Sequence, residues 1–191
     1  MVGNIPNFTK IDILRCFLKC NKNISRKELA KDLELGEGTV RTILENLKSK
    51  QLLDSTKKGH FLSRRGNELL NDMNERISML KNVALRNLYN GSKKSAVVVR
   101  NAENLKQLYK LRDIAVKNLA EGAIILKFQD KLYAPEAGYE QDFKELEKCF
   151  DFKDNDVLVI SFSNEKRHAE NGALAIAVEL SNTLKKFISE F

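Results

Sequence analysis

Residues 24–53 constrain the fold most, because their sequence ISRKELAKDLELGEGTVRTILENLKSKQLL encodes two short helices separated by a turn. Ser25 and Glu28 have the spacing of a capping box, in which each side chain accepts a hydrogen bond from the other residue's backbone amide. The glycines of LELGEG predict a sharp turn between the helices. The second helix is amphipathic, and its apolar stripe consists of Val40, Ile43, Leu44 and Leu47.

The other side of this second helix carries a polar row made of Thr39, Arg41, Thr42, Glu45, Asn46 and Lys48. In the major groove of DNA, Arg donates to guanine and Asn binds adenine. We therefore interpret Thr39, Arg41, Thr42 and Asn46 as base contacts. An ordinary solvated face is the alternative, and Glu45 repels phosphate unless it faces a cytosine amino group.

A helix precedes this pair and a hairpin follows it. The segment TKIDILRCFLKC, from Thr9, predicts a helix with apolar residues on two sides, so we expect another element or a partner subunit to cover the second side. The segment QLLDSTKKGHFLS predicts two short strands around a Lys57-Lys58-Gly59 turn.

The order helix, helix, helix, basic hairpin, helix over residues 8–75 resembles the winged helix–turn–helix of many bacterial and archaeal transcription regulators. The likeness is carried by SRKELAKDLELGEGTVRTILENLKSKQLLDSTKKGHFLSRRGNELL. The resemblance implies that the third helix reads the bases of double-stranded DNA and that the hairpin, or wing, lies along the phosphates. Winged helices also serve as protein-interaction modules, and that use is the alternative.

The positive charge is concentrated at the wing and its flanks. The net charge is +7, and residues 48–65 carry six basic side chains against the single acid Asp54. Such a cluster attracts polyanions through counterion release, whereas a merely solvated basic loop is the competing interpretation. The predicted phosphate contacts are Lys48, Lys57, Lys58, Arg64 and Arg65.

Several classes of protein are disfavoured. No apolar run reaches the length of a membrane span and the first residues lack a signal-peptide core, which predicts a cytoplasmic protein without membrane contact. Cys16, Cys20 and Cys149 are expected to be reduced and to bind no metal, and a redox role for the CFLKC pair is the sharper alternative. The sequence contains no phosphate-binding loop, dinucleotide fingerprint or nucleophile elbow, so we expect neither catalytic residues nor a cofactor.

The segment SRRGNELLNDMNERISML, at 63–80, predicts a connector helix. Its apolar residues recur at threes and fours, which suits pairing with a second copy and predicts a homodimer, although docking on its own domain is also possible. These residues are Leu69, Leu70, Met73, Ile77 and Leu80. We divide the chain into residues 1–80, the DNA-binding domain with its connector, and residues 81–191.

Residues 81–191 predict an α+β domain of order β-β-α-β-β-α-β-α, with helices packed on one sheet. A hairpin turning at Asn90-Gly91 is followed by a helix that ends at Gly122. The residues it is expected to bury are Leu105, Leu108, Leu111, either Ile114 or Ala115, and Leu119. Two strands flank residues 129–131, and a helix covers 139–150. A strand at 157–162 and a last helix at 167–188 complete the domain.

The end of the 157–162 strand is the candidate ligand site, because small anions bind where strand ends face helix N-termini. The predicted ligand contacts are Ser161, Ser163, Asn164 and Arg167. A polar loop that caps the helix is the alternative, and Gly172 is equally explained by close packing of the last helix on the sheet. A second candidate wall is the PEAGYEQ loop around Pro135 and Gly138.

These features predict a dimeric, DNA-binding transcription regulator whose C-terminal domain senses a small-molecule effector. The layout of that domain resembles the unassigned effector half of archaeal winged-helix regulators. The alternatives are an assembly module that uses the winged helix without DNA and an enzyme fused to a winged helix.

Overall fold

The structure is a computed structural model and describes residues 7–84, 91–102, 105, 107–137 and 142–191. It confirms the predicted α+β class, with helices in the N-terminal part and antiparallel sheets with helices beyond. The chain forms two compact units, the first Met1–Asp72 with Phe187–Phe191 and the second Met73–Lys186. The division thus follows Asp72, where the sequence suggested residue 80, and the last five residues return to the first unit.

The first unit begins with three helices, α1 (Lys10–Lys19), α2 (Arg26–Leu33) and α3 (Glu37–Ser49). The predicted capping box is present at α2, where Ser25 N donates to Glu28 Oε2 at 3.0 Å and Glu28 N donates to Ser25 Oγ at 3.2 Å. A second box, between Thr9 and Asp12, starts α1. Between α2 and α3 the left-handed residue is Glu34 (φ 55°), so the turn does not depend on the neighbouring glycines.

The predicted hairpin is confirmed, with β1 (Leu53–Thr56) paired antiparallel to β2 (Gly59–Leu62) around Lys57 and Lys58. It is joined by Ile24, which exchanges two backbone hydrogen bonds of 2.9 Å with His60. Gly59 has φ +148°, and a Cβ there would lie 2.6 Å from the Ile24 carbonyl oxygen. Glycine is therefore required where the wing meets the α1–α2 connection.

Both apolar sides of α1 are buried, as its sequence requires. Cys16, Phe17 and Cys20 are fully buried, and the Phe17 and Phe187 ring centroids lie 5.1 Å apart. Phe187 in turn contacts Phe191, with centroids also 5.1 Å apart. The sequence predicted that some other element must cover the second apolar side of α1. The C-terminal residues of the same chain form that cover.

The connector helix α4 (Arg64–Asn74) is shorter than predicted, because the following residues bond to a strand. Ser78 N donates to Val98 O at 2.9 Å, Arg100 N donates to Arg76 O at 2.7 Å, and Ile77 forms a bridge with Val99. The continuous helical seam to Leu80 that we expected for dimer pairing is therefore not formed.

Gly66, in the first turn of α4, is required by packing. A Cβ there would lie 2.1 Å from the Leu52 carbonyl oxygen, a backbone atom that cannot move aside cheaply. We expect Gly66→Ala to lower the free energy of unfolding of the first unit by about 2–3 kcal/mol. Gly38→Ala is the matched control in α3, where a Cβ meets nothing within 4 Å. It should raise stability by about 0.5–1 kcal/mol. Equal effects of the two changes in denaturant titrations followed by circular dichroism would contradict this packing.

The second unit contains an antiparallel five-stranded sheet of order β3-β4-β7-β5-β6. Its strands are β3 (Lys81–Asn82), β4 (Lys93–Val99), β5 (Gly122–Gln129), β6 (Lys131–Tyr133) and β7 (Val157–Ser163). Helix α7 (Lys166–Leu180) packs against β4 and β7, and α5 (Leu108–Lys117) packs against β5 and α7. The core also includes α6 (Lys144–Glu147), through Leu146 and the flanking Phe143 and Phe150. Because every residue of β7 is buried, this strand is the centre of the unit.

The element order of the second unit agrees with the prediction, but four details differ. Of the helix predicted at 139–150, the described residues 142–150 form only the four-residue α6, Lys144–Glu147. Helix α5 begins only at Leu108, and Leu119 is 60% exposed with φ 71°, so it ends the helix instead of packing inward. Gly122 belongs to strand β5. The last predicted helix breaks at Ser181, which caps a separate α8 (Asn182–Ser189). Asn90, Gly138 and Tyr139 lie outside the described residues.

Candidate nucleic-acid interface

Helix α3 presents the predicted polar row on the side opposite its apolar stripe. Val40, Ile43, Leu44 and Leu47 are all buried. Arg41, Thr42 and Glu45 are exposed, and the remaining members of the row are half-buried, namely Thr39, Asn46 and Lys48. Because its apolar side is fixed by packing, the helix holds the polar row in a defined orientation.

Arg41 and Glu45 form an ion pair on the exposed side of α3. Arg41 Nε lies 2.9 Å from Glu45 Oε1, and the two side chains are 68% and 60% exposed. Beside them, the Thr42 hydroxyl donates to the Gly38 carbonyl at 3.3 Å. In the free protein the charge of Arg41 is thus balanced within the helix, and a guanine would have to compete with Glu45 for it.

The wing carries two lysines whose positive charge is not balanced by an ion pair within the described residues. Lys57 and Lys58 are exposed, and within the described residues their ammonium groups have no hydrogen bond or ion pair. Lys48 Nζ donates to Ser55 Oγ at 2.8 Å and so ties the end of α3 to strand β1. The other two predicted phosphate contacts form ion pairs, Arg64 with Glu68 at 3.0 Å and Arg65 with Glu190 at 3.7 Å.

The pKa of His60 reflects the positive charge of the surface beside the wing. Its pKa is lowered first by burial and then by the positive charges of Lys48 and Arg26. Its Nδ1 atom is buried without a hydrogen-bond partner in the described structure. The imidazole is therefore held neutral in an electropositive environment, and the cationic character comes from lysine and arginine.

Of the four predicted ligand contacts at the end of β7, two are buried, and none lines the clefts found among the described residues. Ser161 is fully buried and donates to the Gly122 carbonyl at 3.1 Å. Ser163 Oγ accepts from Glu165 N at 3.4 Å, and Asn164 N donates to Glu121 Oε1 at 3.0 Å. Arg167 is half-buried at the start of α7.

Gly172 explains why Ser161 is inaccessible. A Cβ at Gly172 would lie 2.3 Å from Ser161 Oγ, so α7 approaches the sheet closely at this point. The close-packing interpretation of Gly172 is confirmed, and the hydroxyl of Ser161 faces the helix and is not available to a ligand.

A different group of side chains lines a cleft in the second unit. The cleft has a volume of about 530 Å³ and is lined by Asn82, Val83, Ala84, Ser92, Lys93, Lys94 and Lys166. The sequence analysis missed these residues because they come from three separate segments. The one usable signal was the Lys93-Lys94 pair that opens strand β4.

The cysteines and the acidic residues offer little chemistry. Cys16 and Cys20 are buried, and a hydrogen bond with Cys20 together with burial raises the pKa of the Cys16 thiol. A thiol with a raised pKa is a poor nucleophile. Among the described residues, no cluster of His, Cys, Asp or Glu could hold a metal ion, and no helix is long and apolar enough to cross a bilayer.

Comparisons with known proteins agree with the two-unit organisation. Residues 10–68 match the family model of the PH0730-like N-terminal domain, and residues 90–180 match a domain of unknown function, DUF4443. No curated protein matches the chain. A solved structure, the hypothetical protein PH0730 from Pyrococcus horikoshii OT3, is 29% identical with a TM-score of 0.78 over 95% of this chain and 100% of that one. The chain is therefore similar to this archaeal protein over nearly its whole length.

Proposed function

We propose that the protein is a cytoplasmic, DNA-binding transcription regulator whose first unit is a winged helix–turn–helix. The order α1, α2, α3, β1, β2, α4 supports this assignment, as does the bridge from Ile24 to the wing. In this class of fold the helix after the turn enters the major groove, and the wing contacts the backbone.

One observation carries the proposal, namely the outward orientation of the polar row on α3, a helix that Lys48 links to the first strand of the wing. The buried stripe of α3 leaves Thr39, Arg41, Thr42 and Asn46 on the outward side, where they are available to base edges. Lys57 and Lys58 have no competing partner in the described structure and are suited to phosphates. Lys48 thus links α3, which carries the proposed base-reading side chains, to the hairpin that carries the proposed phosphate-binding lysines.

Two further parts of the proposal concern assembly and control. A homodimer would present two α3 helices to a two-fold operator, because paired half-sites require two reading heads. The second unit would bind a small-molecule effector more tightly in one arrangement of the dimer, since only differential affinity shifts such an equilibrium. Neither role requires catalytic residues.

A protein-interaction module is the second candidate, and the Arg41–Glu45 pair is the feature that favours it. A surface with both charges balanced within α3 suits a protein partner as well as it suits a base pair. This use predicts no affinity for nucleic acid, so a binding experiment separates the two functions.

The test is the fluorescence anisotropy of a labelled mixed-sequence duplex, compared with its single strand, at about 50 mM salt, where phosphate contacts contribute strongly. A regulator should bind the duplex, prefer it over the single strand and lose affinity as salt rises. Failure to bind the duplex under these conditions would reject the proposal and favour the interaction module.

Glu45 should limit non-specific binding, because its carboxylate faces the polyanion and neutralises Arg41. We expect Glu45→Gln to raise affinity for mixed-sequence duplex about 8-fold at 0.1 M salt, the effect of roughly one additional phosphate contact. Glu179→Gln removes the same charge from an ion pair with Lys185 in the second unit and should leave affinity unchanged. A Glu45→Gln protein with unaltered or weaker duplex affinity would contradict this role.

A further inference from the structure

The cleft of the second unit is lined by lysines from two elements and by the short segment 82–84. Lys93 and Lys94 open strand β4, and Lys166 opens helix α7. Lys93 is paired across the sheet with Ser163, three residues before Lys166, so the register of β4 and β7 brings the lysines to one end of the sheet. The facing wall is formed by Asn82, Val83 and Ala84.

Among the described residues, the ionisable side chains that line the cleft are all lysines. Lys94 is only 9% exposed, and its ammonium donates to the Ser92 carbonyl at 3.0 Å. The Lys166 side chain is 24% exposed, and its ammonium lies 3.7 Å from the buried carboxylate of Glu170. The cleft thus brings three ammonium groups together, and partial burial makes their charge more effective than it would be at an open surface.

The size and the remaining walls limit the ligand further. A volume of about 530 Å³ suits a small molecule and is too small for a folded partner. Asn82 and Ser92 can hydrogen-bond to polar groups, while Val83 and Ala84 can contact an apolar or ring portion. Lysine ammonium groups bind phosphate as point charges.

We propose that this cleft binds a small phosphorylated molecule, with Lys93 and Lys166 contacting its phosphate groups. The binding itself does not depend on whether the first unit recognises DNA. Only its consequence, control of the regulator, rests on the function proposed above. The site lies at the strand end where the sequence analysis expected a ligand, but its side chains come from β4, the β3 segment and Lys166.

Inorganic tripolyphosphate is the probe, and isothermal titration calorimetry of the full chain is the measurement. Every protein carries Lys57→Ala and Lys58→Ala, which removes the polyanion affinity expected of the wing. In this background we expect binding, and we expect Lys93→Gln to weaken it several-fold, because one charged contact to the phosphate groups is lost. The control Lys110→Gln, on the exposed side of α5, should change nothing.

Amide chemical shifts locate the probe without depending on the stability of a variant. Tripolyphosphate should shift the amides of 82–84, 92–94 and 166 in the protein whose cleft is unaltered. Absence of binding, equal weakening by Lys93→Gln and Lys110→Gln, or shifts confined to other residues would each overturn the proposal. Because the wing is already neutralised, none of these outcomes bears on DNA binding by the unaltered protein.

Discussion

Replacing Asp12 with alanine should destabilise the first unit by about 3–5 kcal/mol, the effect of removing one partner from a buried ion pair. Asp12 and Arg15 are almost completely buried, with Asp12 Oδ1 and Arg15 Nη1 3.0 Å apart. Arg15 also donates to the Leu33 carbonyl at 3.2 Å, at the end of α2. The other oxygen of Asp12 accepts from Thr9 N at 2.9 Å. The substitution therefore removes the Asp12 half of the capping box of α1 and a buried counterion of Arg15 together.

The distribution of tyrosine allows this effect to be assigned to one unit. The chain has no tryptophan, and its four tyrosines, Tyr89, Tyr109, Tyr133 and Tyr139, all fall within the second unit. Tyrosine fluorescence therefore reports unfolding of the second unit, whereas far-ultraviolet circular dichroism also follows the helices of the first.

In Asp12→Ala, a denaturant titration should move the dichroism transition of the first unit to lower denaturant and leave the tyrosine transition in place. Glu37→Ala breaks the exposed Arg26–Glu37 pair of the same unit and should cost no more than about 1 kcal/mol. If Asp12→Ala cost as little as Glu37→Ala, the buried pair would not have the structural role described.

Neutralising the tip of the wing should have the largest effect on DNA binding. If Lys57 and Lys58 each contact one phosphate, replacing both with alanine lowers the slope of log affinity against log salt by about 1.8. Extrapolated from 1 M salt, this corresponds to about 60-fold weaker duplex binding at 0.1 M. Both side chains are exposed and form no hydrogen bond or ion pair in the described structure, so the fold should be unaffected.

The control for this experiment is a protein with Lys110→Ala and Lys117→Ala, which loses the same net charge from exposed positions of α5. Anisotropy titrations of one duplex over a series of salt concentrations give both slopes. An equal change in the two proteins would mean that overall charge, and not the wing, governs affinity, and the proposed placement of DNA on the wing would then be wrong.

Local sequence signals predicted the first unit well. The Ser25–Glu28 box, the stripe of α3 and the Lys57-Lys58-Gly59 turn each depend on residues within about four positions of one another, and each is present. The features that were missed depend on distant partners. Ile24 bridges to His60, and α4 ends where residues 76–78 bond to β4, although the apolar spacing continues to Leu80.

The same distinction between local and distant signals applies to the candidate sites. The outward row of α3 could be predicted because one buried stripe fixes the orientation of the whole helix. The orientation of Ser161 could not, because β7 is buried on both faces and its sequence does not reveal which side Ser161 takes. The lysines of the cleft are brought together by the register of β4 and β7, which the sequence of either strand alone does not encode.

The proposed DNA interface is tested most directly by amide chemical shifts of the full chain during titration with a mixed-sequence duplex at low salt. The account predicts that the largest shifts occur in residues 37–46 of α3 and 56–59 of the wing, and that they saturate as the complex forms. Shifts confined to the second unit, or no shifts at a salt concentration of about 50 mM, where phosphate contacts are strong, would contradict it.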